Sequence, residues 1–127
     1  MSERPMRVPG PDHPIAVEPN RTRIVVALGG RVIADTRAAL VLREADYPAV
    51  QYIPRQDVDM SALERSAHRT YCPFKGDCAY YSIAVDGQRA ENAVWSYETP
   101  HAAVAAIKDH LAFYPDRVEM TETTELR

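Results

Sequence analysis

Ile24-Val25-Val26-Ala27-Leu28-Gly29-Gly30-Arg31-Val32-Ile33-Ala34 reads as two strands joined by a two-residue turn. Paired glycines both accept the positive φ that a primed hairpin turn needs, and β-branched residues suit the pleated surfaces on either side. The same logic repeats downstream. Tyr80-Tyr81-Ser82-Ile83-Ala84-Val85 leads into Asp86-Gly87, a strong turn dipeptide, and Asn92-Ala93-Val94-Trp95-Ser96-Tyr97 follows as the partner strand. Ala39 to Leu42 and Val50 to Ile53 add two more strands, the second ended by Pro54, which has no N–H for a ladder. Arg117 to Thr121 suggests a last edge strand.

Helical signals are fewer. Ser61 with Glu64 three residues on has a capping-box spacing, which predicts one short helix within 57–66. Thr99 offers an N-cap with Pro100 at the first helical position, and Val104, Ile107, Leu111 and Tyr114 recur at three- and four-residue steps. That spacing predicts one packed C-terminal helix near residues 100–113. The expected fold class is therefore mainly β, a β-rich α+β domain of antiparallel sheets with that single helix.

The chain has 127 residues and suits one domain, with 46% hydrophobic and 26% charged residues. Residues 1–13, rich in proline and lacking periodicity, are expected as a flexible arm, residues 14–121 as the single β-rich domain, and residues 122–127 as a frayed tail. A formal net charge of -3 lacks the basic footprint of nucleic-acid binding. No apolar run approaches the roughly 20 residues that span a bilayer, and no signal-peptide pattern is seen, so a cytoplasmic protein without membrane partners is expected. The two cysteines do not amount to a disulfide framework.

Chemistry concentrates in Thr70-Tyr71-Cys72-Pro73-Phe74-Lys75-Gly76-Asp77-Cys78-Ala79-Tyr80-Tyr81-Ser82, which places a thiol, an amine, a carboxylate and four aromatic rings in one turn and its flanks. With Tyr52-Ile53-Pro54-Arg55-Gln56-Asp57-Val58 before it and Asn92 to Pro100 after it, this segment resembles the bacterial family known as domain of unknown function 427. The likeness runs from about Val17 to about Val118, and Cys72-Pro73-Phe74-Lys75-Gly76 is its most specific block. The resemblance implies a compact, mostly β domain, tent-like in one reading, with undefined activity and a nucleotidyltransferase label in some descriptions. Cys78, in place of a small residue, and Ile53, in place of an aromatic one, depart from the family pattern.

An ammonium near Cys72 would favour its thiolate, so Cys72 with Lys75 can be read as a nucleophile or redox thiol with its activator, Asp57 serving as orienting carboxylate. A buried, inert cysteine is the plainer alternative. His68 is a possible base, but four residues along a strand separate it from Cys72 by about 13 Å unless the strand bends. His68, Cys72, Cys78 and His110 do not have the short paired spacing of a zinc site, so neither metal nor cofactor is expected. Asp57-Val58-Asp59 could hold a magnesium ion for nucleotidyl transfer, or simply cap a helix. Gly29-Gly30 lacks the Lys and Ser or Thr of a phosphate loop.

Tyr52, Trp95, Phe74, Gly76 and one of Tyr80 and Tyr81 are expected to line a small-molecule cleft, with Arg55 and Lys75 attracting an anionic group. Alternation puts Tyr80 and Tyr81 on opposite faces. The aromatic residues serve equally as core. Three functions stay open: an enzyme using Cys72, a non-catalytic ligand-binding module, and an interaction protein whose exposed strand edge or proline-rich arm docks a partner. A homo-oligomer is left open beside each.

Overall fold

The computed structural model describes residues 4–123. Ten strands run in the order β1 (Ile15–Asn20), β2 (Arg23–Leu28), β3 (Arg31–Thr36), β4 (Ala39–Glu44), β5 (Val50–Tyr52), β6 (Leu63–Cys72), β7 (Gly76–Val85), β8 (Gln88–Pro100), β9 (Ala112–Phe113) and β10 (Glu119–Thr123). They form three sheets of order β1-β4-β5, β10-β2-β3 and β6-β7-β8-β9, and every pairing is antiparallel. The expected mainly β class is correct, including a last strand pairing with β2 at the sheet edge. The part of the expected tail at residues 124–127 and the first three residues of the expected arm lie outside the described residues.

Both hairpin turns form where their glycines predict. Gly29 and Gly30 have φ of 57° and 84°, and Asp86 and Gly87 have 53° and 76°. Leu28 then faces Arg31, and Val85 faces Gln88. These positive dihedrals match the twist of the flanking strands, so local chemistry alone closes each hairpin.

Strand β7 is buried along most of its length because both faces of its sheet are covered. Tyr81 and Ile83 join Ile24, Val26 and Ile33 of the β10-β2-β3 sheet in one core cluster. Cys78 and Tyr80 join Leu42 and Tyr52 of the β1-β4-β5 sheet in a second. A strand covered on both faces needs apolar side chains at consecutive positions, which explains Ala79, Tyr80, Tyr81 and Ile83; the buried Ser82 between them is satisfied by accepting from the Asn92 N–H at 3.0 Å.

The expected helix over 100–113 is not formed, and no α-helix occurs among the described residues. Strand β8 instead continues to Pro100, with Thr99 opposite Asp77 and Pro100 opposite Gly76. A 3-10 segment, Ala102–Ile107, follows and is kinked at Val104. The three-residue step from Val104 to Ile107 fits 3-10 geometry, which repeats every three residues, and both side chains are buried. Asp109 then takes φ of 61°, and Leu111 exchanges two 2.8 Å backbone hydrogen bonds with Ile53. This bridge fixes Leu111 in extended conformation and cuts the apolar period short.

The helix expected within 57–66 is also replaced. Two 3-10 turns, Arg55–Asp57 and Met60–Ala62, precede β6, and Asp59 rather than Ser61 caps the second by accepting from the Ser61 N–H at 3.1 Å. Glu64, the other half of the expected box, pairs with Arg89 at 2.8 Å.

Candidate functional site

Strands β6 and β7 turn through Pro73, Phe74 and Lys75, closed by a 3.2 Å hydrogen bond from the Lys75 N–H to the Cys72 carbonyl. Gly76 leaves the turn with φ of 107°, and a Cβ there would stand 3.3 Å from the Thr99 carbonyl oxygen. Glycine is therefore required on two counts, dihedral and space. The turn drives the Lys75 side chain inward, where its ammonium bonds the Glu44 carboxylate. Each of these two side chains is only 11% exposed.

Glu44 ends strand β4 on the face that carries Leu40 and Leu42. Its second oxygen accepts from His13 Nε2 at 2.7 Å, while the His13 ring stacks on Phe74 with centroids 4.0 Å apart and planes 3° apart. Burial alone would raise the Glu44 carboxyl, but hydrogen bonds from Lys75 and His13, with the positive charge of Lys75, outweigh it and hold the group below the usual range. Lys75 also lies 5.8 Å from the Tyr97 ring centroid.

Beside this ion pair opens a cavity of about 190 Å³. Tyr52, Tyr80, Trp95 and Tyr97 wall it, Tyr47 and Tyr114 stand at its rim, and Leu42 and Val50 supply aliphatic surface. Trp95 Nε1 donates to the Tyr52 hydroxyl at 3.2 Å, setting the two rings edge to face at 89°. Burial pushes the phenols of Tyr52, Tyr80 and Tyr97 well up from their ordinary value, so all three are neutral donors at physiological pH.

The residues singled out from sequence divide between two places. Lys75, Tyr52, Tyr80 and Trp95 line the cavity, and Phe74 and Gly76 build the turn beneath Lys75. Cys72 is half-buried and packs against the cluster that holds Tyr52, Tyr80 and Tyr97. Tyr81 points to the opposite face, where its hydroxyl donates to Glu98 at 2.9 Å and accepts from Arg65 at 3.2 Å, with Arg55 at 3.5 Å. Asp57 accepts from the Thr36 hydroxyl at 2.7 Å and lines a separate shallow cleft with Gln56 and Asp59. Tyr80, not Tyr81, is thus the tyrosine that faces the cavity.

Sequence reading passed over Glu44 and His13 and did not count Tyr97 among the site residues. Glu44 had one readable signal, an acid continuing the apolar alternation of Leu40 and Leu42. His13 had none. Residues 4–13 run across the 71–77 turn. Arg4 forks onto Asp77 and lies 4.2 Å over the Tyr71 ring, Tyr71 donates to the Pro5 carbonyl at 2.7 Å, and the Arg7 N–H donates to the Pro73 carbonyl at 3.0 Å.

Among the described residues, no group of three or more His, Cys, Asp and Glu side chains is gathered closely enough to hold a metal ion. His68 stacks against Tyr80 with centroids 4.5 Å apart, and burial raises the Cys78 thiol. No helix among them is long and apolar enough to cross a membrane.

No curated protein matches the chain. Residues 16–124 match the family described as Domain of unknown function (DUF427), and the chain belongs to that family, as the block Cys72 to Gly76 suggested.

Proposed function

We propose, for this member of the DUF427 family, that the domain binds a small molecule in the cavity between β4, β5, β7 and β8. One observation carries the reading: four aromatic rings and a buried ammonium converge on a single open space of about 190 Å³. Binding sites for small molecules are concave, mostly apolar and furnished with a few placed polar groups, and this cavity has each attribute. Core filler would instead close the space, since interiors tolerate few voids larger than a water molecule. Fragment screening by protein-observed 1H–15N NMR tests the reading, with the Trp95 indole N–H resonance as the site reporter. Hits that shift that resonance support it, and hits that leave it unmoved while shifting other regions overturn it.

A second reading makes Cys72 a nucleophile or redox thiol, with Lys75 as activator and Asp57 as orienting carboxylate. Its support is that Cys72 is half-exposed in the same turn, whereas Cys78 is 1% exposed. Lys75 is already held by Glu44, and Asp57 by Thr36, which weakens both assigned roles. Iodoacetamide mapping at pH 6.5 decides: an activated Cys72 alkylates in the native protein far faster than a thiol of pKa about 8.5. A Cys72 that reacts only on denaturation removes this reading and leaves non-catalytic binding. Nucleotidyl transfer has less support again, because Asp59, like Asp57, is engaged by its own chain, accepting from Ser61 and Arg31.

A further inference from the structure

The hydrogen-bonding balance of the cavity is uneven, and this says what kind of molecule fits. An ammonium carries three N–H donors and no acceptor. Among the described residues, the Glu44 carboxylate is the sole acceptor for Lys75 Nζ, and Lys75 lines the cavity. The Tyr52 hydroxyl accepts from Trp95 Nε1, and no described residue accepts its own proton. The two acceptors nearest this donor set, Glu44 and the Tyr80 hydroxyl, are already engaged. Glu44 uses one oxygen for Lys75 and the other for His13, and the Tyr80 hydroxyl is shared with Thr70 at 3.1 Å. Donors without acceptors thus face an aromatic-walled space, and buried donors cost free energy until something accepts from them.

Charge narrows the class. The Lys75 and Glu44 side chains neutralise each other within one buried pair. A ligand carboxylate would place a second negative charge beside Glu44 against a single ammonium, and a ligand cation would meet the like charge of Lys75 while the Glu44 carboxylate is already shared between Lys75 and His13. A neutral acceptor adds no net charge. Size narrows it further: an apolar cavity of about 150 Å³ admits benzene, so about 190 Å³ admits one six-membered ring with a small substituent. The rings of Trp95, Tyr80 and Tyr97 suit its flat faces.

The geometry points to a neutral, planar ring compound bearing a carbonyl acceptor, of the amide, lactam or imide type, with its oxygen on Lys75 Nζ and its ring against Trp95. This rests on the binding reading above and names the ligand class for the same cavity.

Four near-isosteric probes test it on the full chain by isothermal titration calorimetry at pH 7.5: benzamide, benzoate, benzylammonium and toluene. A hydrogen bond to a charged donor corresponds to roughly tenfold or more in affinity, so benzamide should bind at least about tenfold tighter than toluene. The charge-balanced double variant Glu44→Gln/Lys75→Met should reduce benzamide to the toluene level. Toluene or benzylammonium equalling benzamide overturns the acceptor inference while the cavity still binds. Benzoate equalling or exceeding benzamide overturns its neutral character. Binding of none of the four overturns the cavity reading itself, and this inference falls with it. Should the double variant not fold, the comparison of probes on the unmodified chain decides alone.

Discussion

Replacing Glu44 by glutamine removes the charge that offsets Lys75 while keeping the shape of the side chain. Both partners are 11% exposed, so the ammonium would be left largely buried without a counter-charge. Breaking a fully buried pair costs about 3–5 kcal/mol, because the survivor's desolvation is no longer offset. The adjoining cavity admits water to Lys75, and the glutamine carbonyl still accepts one hydrogen bond, which lowers the expected loss to about 2–3 kcal/mol. For a chain of 127 residues this corresponds to a fall in Tm of roughly 10 °C. Urea unfolding at pH 7, followed by fluorescence of Trp95, the chain's one tryptophan, reads the loss as a shift in midpoint at constant slope. The double variant Glu44→Gln/Lys75→Met supplies the control, since removing both charges removes the uncompensated one. It should be more stable than the sum of its single variants by about 1–3 kcal/mol. A Glu44→Gln loss below about 1 kcal/mol, or strict additivity in the double variant, would refute the claim that this pair is a coupled, desolvated unit.

Acid should expose the same pair. Glu44 has its folded carboxyl below the ordinary value, so its contribution is complete above the unfolded-state pKa of about 4.3 and is lost as pH falls through the folded value. Glu44→Gln should therefore flatten the stability profile below about pH 5, and a profile parallel to the unmodified protein's would contradict this. Tyr52→Phe should cost about 1–2 kcal/mol by leaving the Trp95 N–H without its acceptor, with a shift of the tryptophan emission maximum as the second readout. Gly76→Ala should cost about 1–3 kcal/mol, given φ of 107° and the Thr99 oxygen 3.3 Å from the new Cβ, whereas Gly10→Ala, which meets nothing within 4 Å, should be near neutral. Thermal melts of the two alanine variants side by side check the difference.

The chemistry of the block Cys72 to Gly76 is carried by tertiary contacts. Lys75 belongs to that block, yet its partner Glu44 lies 31 residues away on another sheet, and His13 lies 31 residues before Glu44. The turn from Cys72 to Gly76 serves to aim one ammonium, and the strand alternation of β4, β5, β7 and β8 brings the rings to it.

Sequence alone determined the parts that depend on backbone preference over a few residues. Gly29-Gly30 and Asp86-Gly87 accept positive φ at low cost, so both hairpin turns and the mainly β class were legible, whereas the bulges that shift register within each hairpin were not. Strict alternation likewise separated Tyr80 from Tyr81 before any contact was known. Tertiary structure decided what local preference leaves degenerate. An apolar step of three residues suits an α-helix and a 3-10 segment alike, and here the segment is 3-10 and stops at Ile107, while Leu111 is held extended by its backbone exchange with Ile53. Which tyrosine meets the cavity depended on which sheet covers which face of β7, and the partner of Lys75 depended on where β4 packs. Such pairings arise from burial between distant segments, and residue spacing within one segment carries no record of them.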